Sequence, residues 1–235
     1  MKRYYFKYKE TTTTILTENS KYFKIAVKCI LEARNKIERQ ILIQPEFLTS
    51  LEPIKCLGDD ELIKDMCYAA KIANVGPMAS VAGTIASYAV RRMVEAGAKV
   101  AVIDNGGDIA IVSNRPLIVG IYPSDFALII ESDGFYSICT SSGKLGHSIS
   151  FGHADAATVL AENASIADAL ATALCNSIKN DTSKNELKVK LDKFYRKYRK
   201  FINGAIVIKD NLIGTVGRLP KITKADINLD LITRG

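Results

Sequence analysis

The run K-V-A-V-I-D-N-G-G-D-I-A-I-V, residues 99 to 112, constrains the fold more than any other stretch. Two apolar, β-branched segments flank Asn105-Gly106-Gly107-Asp108, and such a two-glycine junction makes an antiparallel hairpin. Glycine supplies the positive φ angles of a type I′ turn without steric cost. Paired glycines also let backbone N–H groups approach a ligand phosphate or ring. The turn is therefore both a fold element and a candidate binding edge, and Asp108 is less required by the turn than the glycines are.

Residues 4 to 17, rich in aromatic and β-branched types, predict a pair of strands. Further strands are expected at 117–122, 126–131, 135–140, 156–161, 205–208 and 212–216, the last two joined at Asp210-Asn211. Helical periodicity runs from Ser20 to about Gln40, through Phe23, Val27, Ile30, Leu31 and Ile37. A second helix, capped by Asp59 or Asp60, should reach Asn74; a third should open at Gly76-Pro77 and stop at Gly97. The third carries Ala79, Ala82, Gly83 and Ala86 on one side, a smooth strip that permits close approach by a sheet or a ligand. Short connections between strands predict a largely antiparallel sheet with flanking helices, an α+β class, in one domain over residues 1–235.

Composition excludes several classes. No apolar run is long enough to span a membrane, and Met1-Lys2-Arg3-Tyr4-Tyr5 opens no signal-peptide core, so a cytoplasmic protein is expected. Cys29, Cys56, Cys67, Cys139 and Cys175 are scattered, odd in number and without CxxC spacing. They predict buried thiols rather than disulfides or a zinc site. Between Lys184 and Lys200, eight basic residues against Glu186 and Asp192 carry six of the seven net positive charges. Leu187, Leu191, Phe194, Tyr198 and Phe201 recur there at steps of four and three, the apolar face of an amphipathic helix. Its aromatics lie on the apolar stripe rather than among the charges, so a solvated face is favoured over a nucleic-acid surface.

Three stretches carry polar chemistry. Thr140-Ser141-Ser142-Gly143 ends a strand and forms either a turn or a polar ligand rim. Both histidines follow in G-H-S-I-S-F-G-H-A-D, residues 146 to 155, beside Asp155. In S-I-A-D-A-L-A-T-A-L, residues 165 to 174, Asp168 and Thr172 project from one helical face. A carboxylate and a hydroxyl are hard oxygen donors, suited to Mg2+ and poor for zinc. The structural alternative puts Asp168 in the first helical turn, favoured by the dipole, with Thr172 bonded back to the carbonyl of Asp168.

In order and approximate spacing, V-A-G-T-I-A-S-Y-A-V, D-N-G-G-D-I, T-S-S-G with His147 after it, A-T-V and A-D-A-L-A-T-A-L resemble the ApbE family of flavin transferases over residues 76 to 178. The resemblance implies an enzyme that uses FAD as donor and moves its FMN portion, with Mg2+, onto a threonine of an acceptor protein, releasing AMP. It implies Asp168 and Thr172 as metal ligands, His147 as the catalytic histidine, and Gly106, Gly107 and Asp108 at the flavin site. Two positions depart from the family pattern. Ser150-Phe151 stand where full-length transferases carry Asp-Pro, and Ala86-Ser87 stand where they carry Lys-Gly before the tyrosine, here Tyr88. The chain thus looks closer to the short prokaryotic branch of the superfamily, for which a link to sulfur and homocysteine metabolism has been suggested. Two alternatives remain beside flavin transfer: an enzyme of different chemistry on a nucleotide-like or sulfur-containing substrate, and a non-catalytic flavin- or nucleotide-binding protein.

Overall fold

In the computed structural model, residues 1–131, 134–143, 152–224 and Thr233 are described. The threonine-rich start forms the hairpin β1 (Lys2–Tyr8) and β2 (Thr11–Thr17). Asn19 then caps α1 (Ser20–Ile43), its side chain accepting from the Lys21 N–H. After the single turn α2 (Glu46–Thr49), Asp60 caps α3 (Glu61–Ala73), which ends on Asn74 in the left-handed region. Gly76-Pro77 opens a 3₁₀ turn, Pro77–Ser80, that runs into α4 (Val81–Glu95), and Gly97 follows it at φ +97°.

Strands β3 (Val100–Asn105) and β4 (Asp108–Ser113) pair through the expected turn, with Gly106 at φ +67° and Gly107 at φ +102°. Then come β5 (Leu117–Gly120), β6 (Phe126–Ile130), β7 (Tyr136–Ser141) and β8 (Ala156–Ala161). Helices α5 (Ala164–Ser177) and α6 (Lys184–Tyr198) precede β9 (Gly204–Lys209), β10 (Leu212–Gly217) and β11 (Lys221–Lys224). Eight strands form one antiparallel sheet in the order β1-β2-β3-β4-β7-β8-β9-β10, and β11-β6-β5 form a second.

Alternation along the strands divides the core in two. Ala101, Ile103, Ala157 and Val159 face the helices, whereas Val100, Val102, Ala156 and Leu160 face the three-stranded sheet. Both faces of the large sheet are covered, so β8 is buried at every residue. Helix α5 lies beneath it against α3 and α4, and its alanines let all three helices approach closely. That placement explains why its sequence is apolar around the whole circumference.

The basic helix α6 starts with a capping box of Ser183 and Glu186 and buries Leu187, Leu191 and Tyr198. Gly214 of β10 makes room for it, since a Cβ there would lie 2.6 Å from Leu191 Cδ1. Phe201, expected on the apolar stripe, is exposed. Lys190 reaches away from solvent and donates to the carbonyl of Ser177 at the end of α5 (2.9 Å).

One expectation is overturned. Cys56 and Cys67 form a disulfide with Cα atoms 6.2 Å apart, whereas Cys29, Cys139 and Cys175 are buried outside it, as expected. The segment before α3 doubles back beside that helix, so cysteines eleven residues apart meet without any short-range motif. The short elements α2 and β11 were also not anticipated: one is a single turn, and K-I-T-K has little strand signature. Among the described residues no helix is long and apolar enough to cross a membrane.

Candidate functional site

Around the junction of the β3–β4 turn and the start of α4, the described residues line an open cleft of about 2110 Å3 that extends over β2 and β5. Gly106, Gly107, Asp108, Thr140, Ser141, Ser142, Asp168 and Thr172 all line it, so the sequence-predicted residues from four elements converge.

Asp168 is the fifth residue of α5, not a member of its first turn. Its Oδ2 accepts from the Gly83 N–H at 2.8 Å, and the Ala82 N–H also bonds to the carboxylate. A side chain of one helix thus caps the N-terminus of another, where unsatisfied N–H groups and the dipole favour an anion. Gly83 permits this approach: a Cβ there would lie 2.9 Å from Asp168 Cβ and 2.5 Å from the Ala164 carbonyl oxygen. The small-residue strip of α4 is therefore a helix-packing surface at Gly83, while Ala79 and Ala82 reach the cleft. Thr172 is buried one turn further along.

Asp108 leads β4 and is paired in register with Cys139 of β7; its Oδ1 accepts from the Thr140 N–H at 3.2 Å. Burial holds the Asp108 carboxyl well above the usual range, and the negative charge of Asp168 pushes it further. Burial also pushes Asp168 up to about 7, against the two N–H groups that favour its charged form. The Cys139 thiol is raised by burial first and then by both carboxylates. Among the described residues neither aspartate pairs with a lysine or arginine.

The hydroxyl rim divides across the sheet. Ser141 shares the helix-side face with Asp108, and its buried Oγ has no hydrogen-bond partner among the described residues. Thr140 points to the opposite face, where its hydroxyl meets that of Thr158 at 2.9 Å; its backbone alone serves Asp108. Gly143 donates to the Ala154 carbonyl, and a Cβ there would lie 1.8 Å from the Gly152 carbonyl oxygen. Gly152 in turn lies against the carbonyl of Cys175, near the end of α5. His147 lies outside the described residues. His153 is exposed and Asp155 accepts from the Asp210 N–H, which makes Asp155 a brace for the β9–β10 turn.

Two residues went unassigned at the sequence level. Asn105 donates from Nδ2 to the Ala82 carbonyl (3.1 Å), tying the hairpin to α4. Asp104 accepts from the Gly107 N–H (2.9 Å), the side-chain-to-backbone turn that Asp two or three residues before glycine favours.

Around Asp108 and Asp168 the side-chain oxygens lining the cleft are carboxylates and hydroxyls, while Arg3, Lys9 and Arg34 also line it. Among the described residues no group of three or more His, Cys, Asp or Glu could hold a metal. Mg2+ needs no such cage, since it is commonly held by one or two carboxylates, water and ligand phosphate. Asp168, Thr172 and the neighbouring Asp108 fit that pattern.

A family profile described as AbpE bacteria matches residues 2–192. A UPF0280 protein of Archaeoglobus fulgidus is 58% identical over 235 residues, covering all of both chains. A UPF0280 protein of Methanothrix thermoacetophila is 42% identical over 243 residues, again over all of both. Among solved structures, the ApbE protein of Thermotoga maritima superimposes over all of both chains with a TM-score of 0.62 at 13% identity. The apo form of the Pseudomonas stutzeri flavinyl transferase ApbE matches with a TM-score of 0.54 at 12% identity, over 92% of this chain and 94% of that one. At such identity the likeness is one of fold.

Proposed function

This chain belongs to the AbpE bacteria family, and from that premise we propose that its cleft binds a flavin or nucleotide diphosphate together with Mg2+. One observation carries the reading: two buried aspartates, Asp108 and Asp168, line one cleft, and among the described residues neither forms an ion pair with a lysine or arginine. Two adjacent buried carboxylates are costly when both are charged, and a divalent cation removes that cost. Asp168 and Thr172 would hold the ion, which would neutralise the diphosphate. Gly106 offers the ligand an open approach, because a Cβ there would meet nothing within 4 Å. Ser141 Oγ supplies an unused hydrogen-bonding group on the same wall.

Flavin transfer is the activity that the fold likeness to a flavinyl transferase suggests. In that reaction His147 takes a proton from an acceptor hydroxyl, a role suited to an imidazole near neutral pH. Ser150-Phe151 and Ala86-Ser87 favour a second reading, in which the acceptor side is rebuilt. The protein then binds flavin or nucleotide without transfer, or acts on a different, sulfur-containing substrate.

Thermal shift with Mg2+ plus FAD, on wild type and Asp168→Asn, tests the binding claim. Wild type should gain stability and the variant should gain much less; equal gains remove the metal assignment. Release of AMP with covalent flavin on a threonine-containing target, abolished in His147→Ala, would establish transfer over binding alone.

A further inference from the structure

Asp104 is the hairpin carboxylate to which the metal and diphosphate reading gives no task. It lies on the sheet face opposite Asp108, alternating with Val102 and paired in register with Thr14. Its Oδ1 is held by the Gly107 N–H. Its Oδ2 accepts at 2.6 Å from the hydroxyl of Thr233, which is 129 residues away in sequence. The same hydroxyl lies 2.8 Å from Thr14 Oγ1, and Thr233 is only 9% exposed. Asp104, Thr14 and Thr233 line the cleft that also contains Gly106, Gly107 and Asp168. Thr12, one step along the same strand face, lines it too, with a buried hydroxyl that has no partner among the described residues.

We propose that Asp104 and Thr14 form a hydroxyl-binding subsite of the cleft, and that Thr233 occupies it in place of a sugar or polyol hydroxyl of the ligand. The inference rests on the flavin or nucleotide reading and locates a different part of that ligand. A buried carboxylate accepts strongly from a hydroxyl and repels a phosphate. The subsite therefore suits ribose or ribityl hydroxyls, as acidic side chains do in other nucleotide folds. The diphosphate belongs across the turn, on the side of Asp168. Thr12 offers a second hydroxyl contact that Thr233 leaves unused. Because the internal hydroxyl must leave first, the ligand's apparent affinity is its intrinsic affinity multiplied by the fraction of molecules in which the subsite is open.

The test is an FAD titration of the full chain with Mg2+, followed by flavin fluorescence, with lumiflavin as a probe that lacks the polyol. Thr233→Val should bind FAD roughly three- to tenfold more tightly than wild type, since the internal bond to the carboxylate is lost. Lumiflavin affinity should not change, and Thr14→Val should weaken FAD. Thr233→Cys gives a second readout, because Cys29, Cys139 and Cys175 are buried and react slowly. A maleimide should label the introduced thiol several-fold faster once FAD is added. Equal FAD affinity in wild type and Thr233→Val, with labelling indifferent to FAD, overturns the subsite alone. An equal gain for lumiflavin overturns its assignment to the sugar. Absence of FAD binding in every variant removes the cleft reading and this inference together.

Discussion

Asp168 serves α4 as a cap and the cleft as a charge, and substitution separates the two. Asp168→Ala leaves the Gly83 and Ala82 N–H groups without their acceptor and should cost about 1–3 kcal/mol. Asp168→Asn keeps a carbonyl oxygen at the helix end and removes the charge, so it should lose metal response with less loss of stability. The raised pKa adds a pH signature. The folded state holds this proton more tightly than the unfolded state, whose value is near 3.8. The stabilisation is complete below that value and is lost as pH climbs through about 7. In EDTA the melting temperature should therefore fall between about pH 4 and 7, each pH unit removing at most about 1.4 kcal/mol. Mg2+ should offset the loss at pH 7.5, and Asp168→Asn should make the profile shallower, leaving the part that Asp108 carries through its own burial. A profile unchanged in that variant would show that Asp168 does not titrate there. The i, i+4 pair of Asp168 and Thr172 was legible because helical spacing is a local property. The carboxylate's reach to Gly83, 85 residues earlier, was not, because only tertiary packing creates it.

At the level of elements, the close crossing of α4 and α5 depends on Gly83. Gly83→Ala would place a methyl 2.5 Å from a backbone carbonyl that cannot rotate away. It should destabilise the fold by roughly 1–3 kcal/mol and weaken any ligand held by Asp168, readable by urea denaturation and by FAD titration. The basic helix predicts a contrast within itself. Lys193 and Lys197 are exposed, so reversing both charges should leave melting unchanged, and duplex binding by wild type should be weak and collapse at moderate salt. Lys190 holds the Ser177 carbonyl at the end of α5, so Lys190→Ala should cost about 0.3–1 kcal/mol. Periodicity identified α6, and turn and cap residues bounded α4, because both kinds of signal are local. It could not tell Lys190 from its neighbours, because that distinction depends on which helix end lies beneath the side chain. For the same reason Thr140 and Ser141, adjacent in one rim sequence, part to opposite faces once the pleat is known.

For the whole molecule, the disulfide decides how firmly one wall of the cleft is attached. Ser50, Leu51 and Glu52 line the cleft, and Gly76, at the entry to the α4 turn, packs so closely on Ser50 that a Cβ would lie 1.7 Å from its carbonyl oxygen. The chain then runs to Cys56, which is bonded to Cys67 on α3. Helix α3 packs against α5, so the covalent bond ties this wall to the helix that carries Asp168 and Thr172. Neither cysteine announced the link, because a disulfide is set by three-dimensional proximity and the sequence shows only spacing. Closing a short loop restricts the unfolded chain by an amount worth about 2–3 kcal/mol. In a protein of this size that should appear as a fall in melting temperature of roughly 5–10 °C on reduction, or in Cys56→Ser with Cys67→Ser. Proteolysis should quicken first between residues 50 and 56, while exchange of the buried α5 amides stays slow. A reduced protein that melts at the temperature of the oxidised one, with that wall equally protected, would show that packing around Gly76 holds the wall and the sulfur bond does not.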